Sequence, residues 1–212
     1  MTFPLDLYVL VADLDQEQAI RALLEHRTAS LGIRSGRSEV RKHPQHDGGC
    51  YRQAPDLLRT MQSQAAHALV VFDREGSGAE DKPAAEIEAD LEGRLDVSGW
   101  DGRARVVVID PETEIWLWSD SPHVATVLGW TAGEADLRQW LTGQGFLLAG
   151  AVKPARPKEA MLAVLRETRV KPSAAIFAEA ARKVGLDRCQ DRSFLRFRQI
   201  LRDWFPQEAA SS

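Results

Sequence analysis

Leu7-Tyr8-Val9-Leu10-Val11-Ala12-Asp13 is the stretch whose reading decides the fold. Its apolar residues run without alternation and stop at an acid, the pattern of a short strand covered on both faces, as in a parallel sheet. Ala68-Leu69-Val70-Val71-Phe72-Asp73 repeats the pattern, and Val106-Val107-Val108-Ile109-Asp110 repeats it again. Between these runs the spacing turns helical. Asp15 stands where it can cap a helix with Ala19, Ile20, Leu23 and Leu24 on one side and Gly32 as its stop. Another helix is expected from Ala54, with Leu57, Leu58 and Met61 on one side, and an acidic one after Pro83, with Ile87, Leu91 and Leu95 inward. The alternation predicts an α/β fold, a mostly parallel sheet sandwiched by helices. Ser38 to His43, with Val40 between charged neighbours, is a weaker strand suited to a sheet edge.

Beyond Pro111 the strands give out. Helical segments are expected over 114–118, 124–128 and 134–141, then the basic connector Lys153-Pro154-Ala155-Arg156-Pro157-Lys158, then helices over 158–167, 173–184 and 193–205, with a frayed tail from Gln207. The chain thus divides into an α/β core over 1–110 and a helical part over 111–212 packed on it. In the last helix Phe194, Phe197, Leu201 and Trp204 form a packing stripe, and Arg192, Arg196 and Arg202 lie off it.

At 212 residues, 44% hydrophobic and 27% charged, the chain can bury a sizeable core, which excludes disordered, collagen-like and coiled-coil classes. No run of about eighteen apolar residues occurs, and the N-terminus lacks the basic start and cleavage site of a secretory signal, so a cytoplasmic protein with no membrane partner is expected. Cys50 and Cys189 lie far apart and read as reduced thiols. Charge is uneven: up to Gly150 there are 14 Lys and Arg against 24 Asp and Glu, and from Ala151 onward 13 against 7. The positive part invites an electrostatic partner, although solvated faces give the same split. G-x-x-x-x-G-K-S/T, G-x-S-x-G and H-E-x-x-H are all absent, which removes several common enzyme classes.

In an open parallel sheet, ligands bind beyond the carboxyl ends of the strands, where Asp13, Asp73 and Glu75 would meet. The Asp73-Arg74-Glu75 pair offers two hard oxygen ligands that suit Mg²⁺ or Mn²⁺. Aspartate after a strand reads equally as a helix cap or turn former. The Gly76-Ser77-Gly78 turn has backbone amides that can approach a phosphate. His43, His46, Asp47 and Cys50 crowd four ligands into eight residues, too compressed for a tetrahedral zinc site. A loop over the strand edge, with His43 and Asp47 as auxiliary groups, is the better reading. His123 reads as a helix-start residue, and the six tryptophans as core or interface anchors, with stacking on a base as the alternative.

Val11-Ala12-Asp13-Leu14-Asp15-Gln16-Glu17, Val70-Val71-Phe72-Asp73-Arg74-Glu75-Gly76 and Pro111-Glu112-Thr113-Glu114-Ile115-Trp116 together resemble the Toprim fold, specifically the small Toprim-like proteins of bacterial defence loci. Toprim domains carry a glutamate after the first strand and D-x-D after a later one, which bind Mg²⁺ for phosphoryl transfer on nucleic acid. The resemblance puts Asp13 at the first position and Asp73 with Glu75 at the second. Aspartate here replaces glutamate and D-x-E replaces D-x-D; the shorter first carboxylate suits a metal ligand and not a general base. Glu114, beside Trp116, becomes a further ligand or water positioner, or else a surface acid beside a core tryptophan.

A whole-chain resemblance is to a small subunit of the bacterial methylation-associated defence system. It is carried by His43-Pro44 with Asp47-Gly48-Gly49-Cys50, by Phe72 through Gly78, by Trp118-Ser119-Asp120-Ser121-Pro122-His123 and by the 153–158 connector. It implies a role in anti-phage defence without a known reaction. Two functions are therefore expected. The first is nuclease-like phosphoryl transfer, with Mg²⁺ or Mn²⁺ on Asp13, Asp73 and Glu75, assistance from Glu114, and nucleic-acid contacts from Lys153, Arg156, Lys158, Arg192 and Arg196. The second is a non-catalytic Toprim-like module that binds a larger defence protein through its tryptophans and basic helices. Convergence of the three carboxylates within metal-bridging distance discriminates between them.

Overall fold

The computed structural model describes residues 2–148, 150–187 and 189–207. Its elements run β1 (Leu5–Val11), α1 (Leu14–His26), α2 (Thr28–Leu31), β2 (Ser38–Lys42), α3 (His46–Leu58), β3 (Ala65–Asp73), α4 (Ala84–Leu95) and β4 (Ala104–Ile109). Six further helices follow: α5 (Glu114–Leu117), α6 (His123–Val127), α7 (Glu134–Gly143), α8 (Pro157–Glu167), α9 (Ala174–Lys183) and α10 (Arg192–Trp204). The tail expected to fray lies, after Gln207, outside the described residues.

The four strands form one all-parallel sheet in the order β2-β1-β3-β4, with helices outside it. This agrees with the α/β class, and the strand-ending acids share one edge because parallel strands share their direction. The unbroken apolar runs reflect two buried faces. On one, Leu7, Val9, Val11, Leu69, Val71, Val107 and Ile109 pack with Ile20 and Leu23 of α1, Ala178 and Ala181 of α9 and the α10 stripe. On the other, Tyr8, Leu10, Val70, Phe72, Val106 and Val108 pack with Ala54 and Leu58 of α3 and with Ile87, Leu91 and Leu95 of α4. Within the stripe Phe194, Phe197 and Leu201 are buried and Trp204 is partly so, which makes the end of the chain a cover for the sheet.

A third apolar cluster, including Trp118, Val124, Leu128, Leu137, Leu141, Val164 and Phe177, holds α5 to α9 together. Arg27 ties α9 to the first part of the chain: its Nη1 donates to the Ala181, Arg182 and Val184 carbonyls, at 3.0, 2.7 and 3.1 Å. A cation there satisfies the last carbonyls of a helix and opposes the negative end of its dipole.

Two local readings change. The cap of α1 is Asp13 and not Asp15: its Oδ1 accepts from the Gln16 amide at 2.8 Å. The expected loop over 44–50 is instead the start of α3, at His46. Gly48 and Gly49 look like turn residues, but a Cβ on Gly49 would run into the His43 ring, so glycine there serves close packing.

At the β4 edge, carboxylates of α4 stand where a next strand would be. The Val108 amide donates to Glu88 Oε1 at 3.0 Å and the Val106 amide to Glu92 Oε1 at 2.9 Å. Arg196 Nε donates to the Val106 carbonyl at 2.8 Å.

Candidate functional site

The chain leaves β1 for β2 on one side and returns to β3 on the other, so the order reverses between β1 and β3. The crevice beyond their carboxyl ends is where such sheets take ligands. Val11 pairs with Val71, which brings the ends of the two strands, and with them Asp13 and Asp73, to one place.

Asp73 is buried, and its Oδ1 accepts from Gln16 Nε2 at 2.8 Å and from Thr113 Oγ1 at 2.7 Å. Burial above all, then the nearby Asp47 and Asp13 charges, push its carboxyl well above the usual range, against the pull of the Thr113 bond. Gln16 is the hinge of the arrangement. Its own amide is capped by Asp13, its Oε1 accepts from the Ala12 amide at 2.9 Å, and its Nε2 reaches Asp73. From the other side Asp47 Oδ1 accepts the Asp73 amide at 2.8 Å. Burial raises Asp47 too, with the Asp13 charge adding to it.

Glu75 does not join Asp73. Its amide donates to the Pro111 carbonyl at 3.1 Å, and its charge acts on Glu112 instead. The Gly76-Ser77-Gly78 turn does present amides, with Gly76 and Gly78 at positive φ as glycine permits, but the Glu80 carboxylate occupies them. Glu80 Oε1 accepts from Gly76 at 2.9 Å and from Gly78 at 3.0 Å. An anion does sit on the turn, and it is the chain's own.

Glu114 is buried beside Glu112, and desolvation carries its pKa to about 7. Lys158 answers both acids: its amide donates to Glu112 Oε1 at 3.0 Å, and its Nζ stands 3.7 Å from Glu112 Oε2 and 4.0 Å from Glu114 Oε1. Burial lowers the lysine's pKa, but Glu114 and Glu112, with Asp73 and Asp13 behind them, outweigh that and raise it.

The Mg²⁺ or Mn²⁺ that the Toprim resemblance implies does not fit this donor set as arranged. Asp13 caps a helix, Asp73 is buried against neutral donors, and the Glu75 amide is tied to the Pro111 carbonyl. Among the described residues, no three His, Cys, Asp or Glu side chains come together so as to hold a metal ion. The His43 to Cys50 stretch gives none either: His43 Nδ1 accepts from the Gln45 amide at 3.0 Å, and burial keeps the Cys50 thiol well above its usual pKa.

The basic residues expected to meet nucleic acid or a partner have internal partners. Lys153 Nζ reaches the Ile115 carbonyl at 2.8 Å and Asp191 at 3.4 Å, and Arg156 pairs with Glu159 at 2.6 Å. Arg192 grips Glu88 with both terminal nitrogens, at 3.1 and 2.6 Å. Arg196 reaches Glu92 at 2.7 Å and Glu88 at 3.3 Å. Trp116 donates to Ser193 Oγ at 2.7 Å and Trp118 to the Pro157 carbonyl at 2.9 Å, so both act as packing anchors.

Gln16, Thr113 and Glu112 were not among the expected site residues. Gln16 had a signal, since Asp13-x-x-Gln16 has the spacing of a capping box. Thr113 and Glu112 stood only within the 111–116 stretch of the resemblance, where nothing local ties them to Asp73 or to Lys158. No described helix is long and apolar enough to cross a membrane. Among protein-family models, curated proteins and solved structures, none matches this chain.

Proposed function

We propose that the chain is a non-catalytic, Toprim-like interaction module of a bacterial anti-phage defence system, held by a larger partner protein. The observation that carries this reading is Asp73: the carboxylate that the D-x-E pair would offer to a metal is buried and bonded to Gln16 and Thr113. A carboxyl group binds a metal as the ionised carboxylate, and burial among neutral donors works against ionisation. One observation favours metal-dependent phosphoryl transfer instead: Asp13, Asp47 and Asp73 lie close enough at the switch point for their charges to act on one another.

A calorimetric Mn²⁺ titration of the wild type beside Asp73→Asn, followed by a cleavage assay on DNA and RNA, separates the two. The module reading expects no stoichiometric Mn²⁺ uptake, no cleavage, and a folded Asp73→Asn, whose amide oxygen still accepts from Gln16 and Thr113. Asp73→Ala removes that acceptor and is expected to cost about 2–3 kcal/mol. Stoichiometric Mn²⁺ binding or metal-dependent cleavage that disappears in Asp73→Asn overturns the reading.

A further inference from the structure

A groove of about 530 Å³ runs along the outer side of α10 and reaches β4. Five arginines line it: Arg105 from β4, and Arg192, Arg196, Arg198 and Arg202 from α10. Leu195, Gln199 and Ile200 lie between them, and Asp203, which accepts from Gln199 at 2.7 Å, is the one acid of the lining.

Two of the arginines show what the groove takes. Arg192 and Arg196 hold the carboxylates of Glu88 and Glu92. The other three hold no carboxylate among the described residues. Arg105 donates to the Gly102 and Ala104 carbonyls, Arg202 Nε donates to the Leu31 carbonyl at 2.7 Å, and Arg198 makes no side-chain hydrogen bond or ion pair with another described residue.

We infer that this groove is the docking site for an acidic amphipathic segment of the partner protein, an inference that rests on the module reading above. Its cations are all arginines. The guanidinium fork matches a carboxylate, and arginine is enriched at protein interfaces where lysine is depleted. Leu195, only partly buried, gives an apolar residue of the segment something to lie on while its acids turn to the arginines. No aromatic ring lines the groove to stack an unpaired base.

The test measures fluorescence anisotropy at low salt with two labelled probes, a 20-residue poly-glutamate and a DNA duplex of matched charge. The wild type is compared with Arg105→Gln/Arg198→Gln, which breaks no internal ion pair, and with Lys82→Gln/Lys171→Gln, which changes net charge equally elsewhere. The groove reading expects poly-glutamate to bind the wild type more tightly than duplex does, about tenfold more weakly to the arginine variant, and unchanged to the lysine variant. No poly-glutamate binding to the wild type, or equal binding by the arginine variant, overturns the inference. Tighter, arginine-dependent duplex binding overturns it in favour of a nucleic-acid surface. Arg198→Ala alone replaces the double variant if thermal melting shows that the latter has lost its fold. The module reading fails separately, on Mn²⁺ uptake or cleavage.

Discussion

Asp73 at the carboxyl edge and Glu88 under α10 are both nearly sealed from solvent, 7% and 2% exposed, yet they meet opposite surroundings. Among the described residues Asp73 has only neutral donors, Gln16 and Thr113, and it faces the charges of Asp47 and Asp13. Glu88 has two guanidinium groups and a backbone amide. The first region raises its acids toward the neutral form and leans on one lysine, Lys158. The second gives its acids cations of their own and still keeps arginines over. Burial alone therefore does not set the character of a charged region; what decides it is whether a fixed counter-charge arrives from elsewhere in the fold.

The largest expected effect comes from breaking the second region at its centre. Glu88→Ala strands the Val108 amide and leaves Arg192 and half of the Arg196 contacts without an acid, which is expected to cost about 3–5 kcal/mol. Urea denaturation measures it, and a loss under about 1 kcal/mol would erase the contrast.

A smaller effect is expected at the first region, with a defined sign. Glu114 has a folded pKa of about 7, above its ordinary 4.5, so between those values the folded chain holds a proton that the unfolded chain has released. Stability therefore falls as pH rises through that window, by on the order of 3 kcal/mol, and the loss is complete above it. Glu114→Gln should match the wild type at pH 4 and exceed it at pH 8 in denaturation midpoint. A variant less stable than the wild type at pH 8 would mean that the ionised Glu114 is held by Lys158 more firmly than the 4.0 Å separation implies.

The smallest effect belongs to neither region. Arg156 pairs with Glu159 in the open, so Arg156→Ala should change stability by no more than about 0.5 kcal/mol in the same titration. That sets the scale against which the two buried regions are judged.

Much of the fold was legible in the sequence because it depends on local periodicity. The runs ending in Asp13, Asp73 and Asp110 became β1, β3 and β4, and the spacing of Phe194, Phe197 and Leu201 marked the buried side of α10. The site was less legible, since its geometry depends on contacts across the chain. Thr113 meets Asp73 across forty residues, and Arg192 meets Glu88 across 104. Neither pairing leaves a mark on its own neighbourhood. The start of α3 was hidden for another reason: a Gly-Gly pair marks a turn by default, and only the His43 ring explains it inside a helix.

The carboxylates of Glu88 and Glu92 and the Arg196 guanidinium on β4 also determine how the sheet can associate. An outer strand with free amides and carbonyls is a template on which another chain can add by β-augmentation, and this is a common route to aggregation. Here the Val106 amide and carbonyl and the Val108 amide already have their hydrogen-bond partners, so the β4 edge is blocked without a proline or a bulge to end it. Proteolytic loss of α10 would strip Arg196 from the Val106 carbonyl and bare the apolar face that Phe194, Phe197 and Leu201 cover, leaving a truncated chain far more prone to self-association than the intact one.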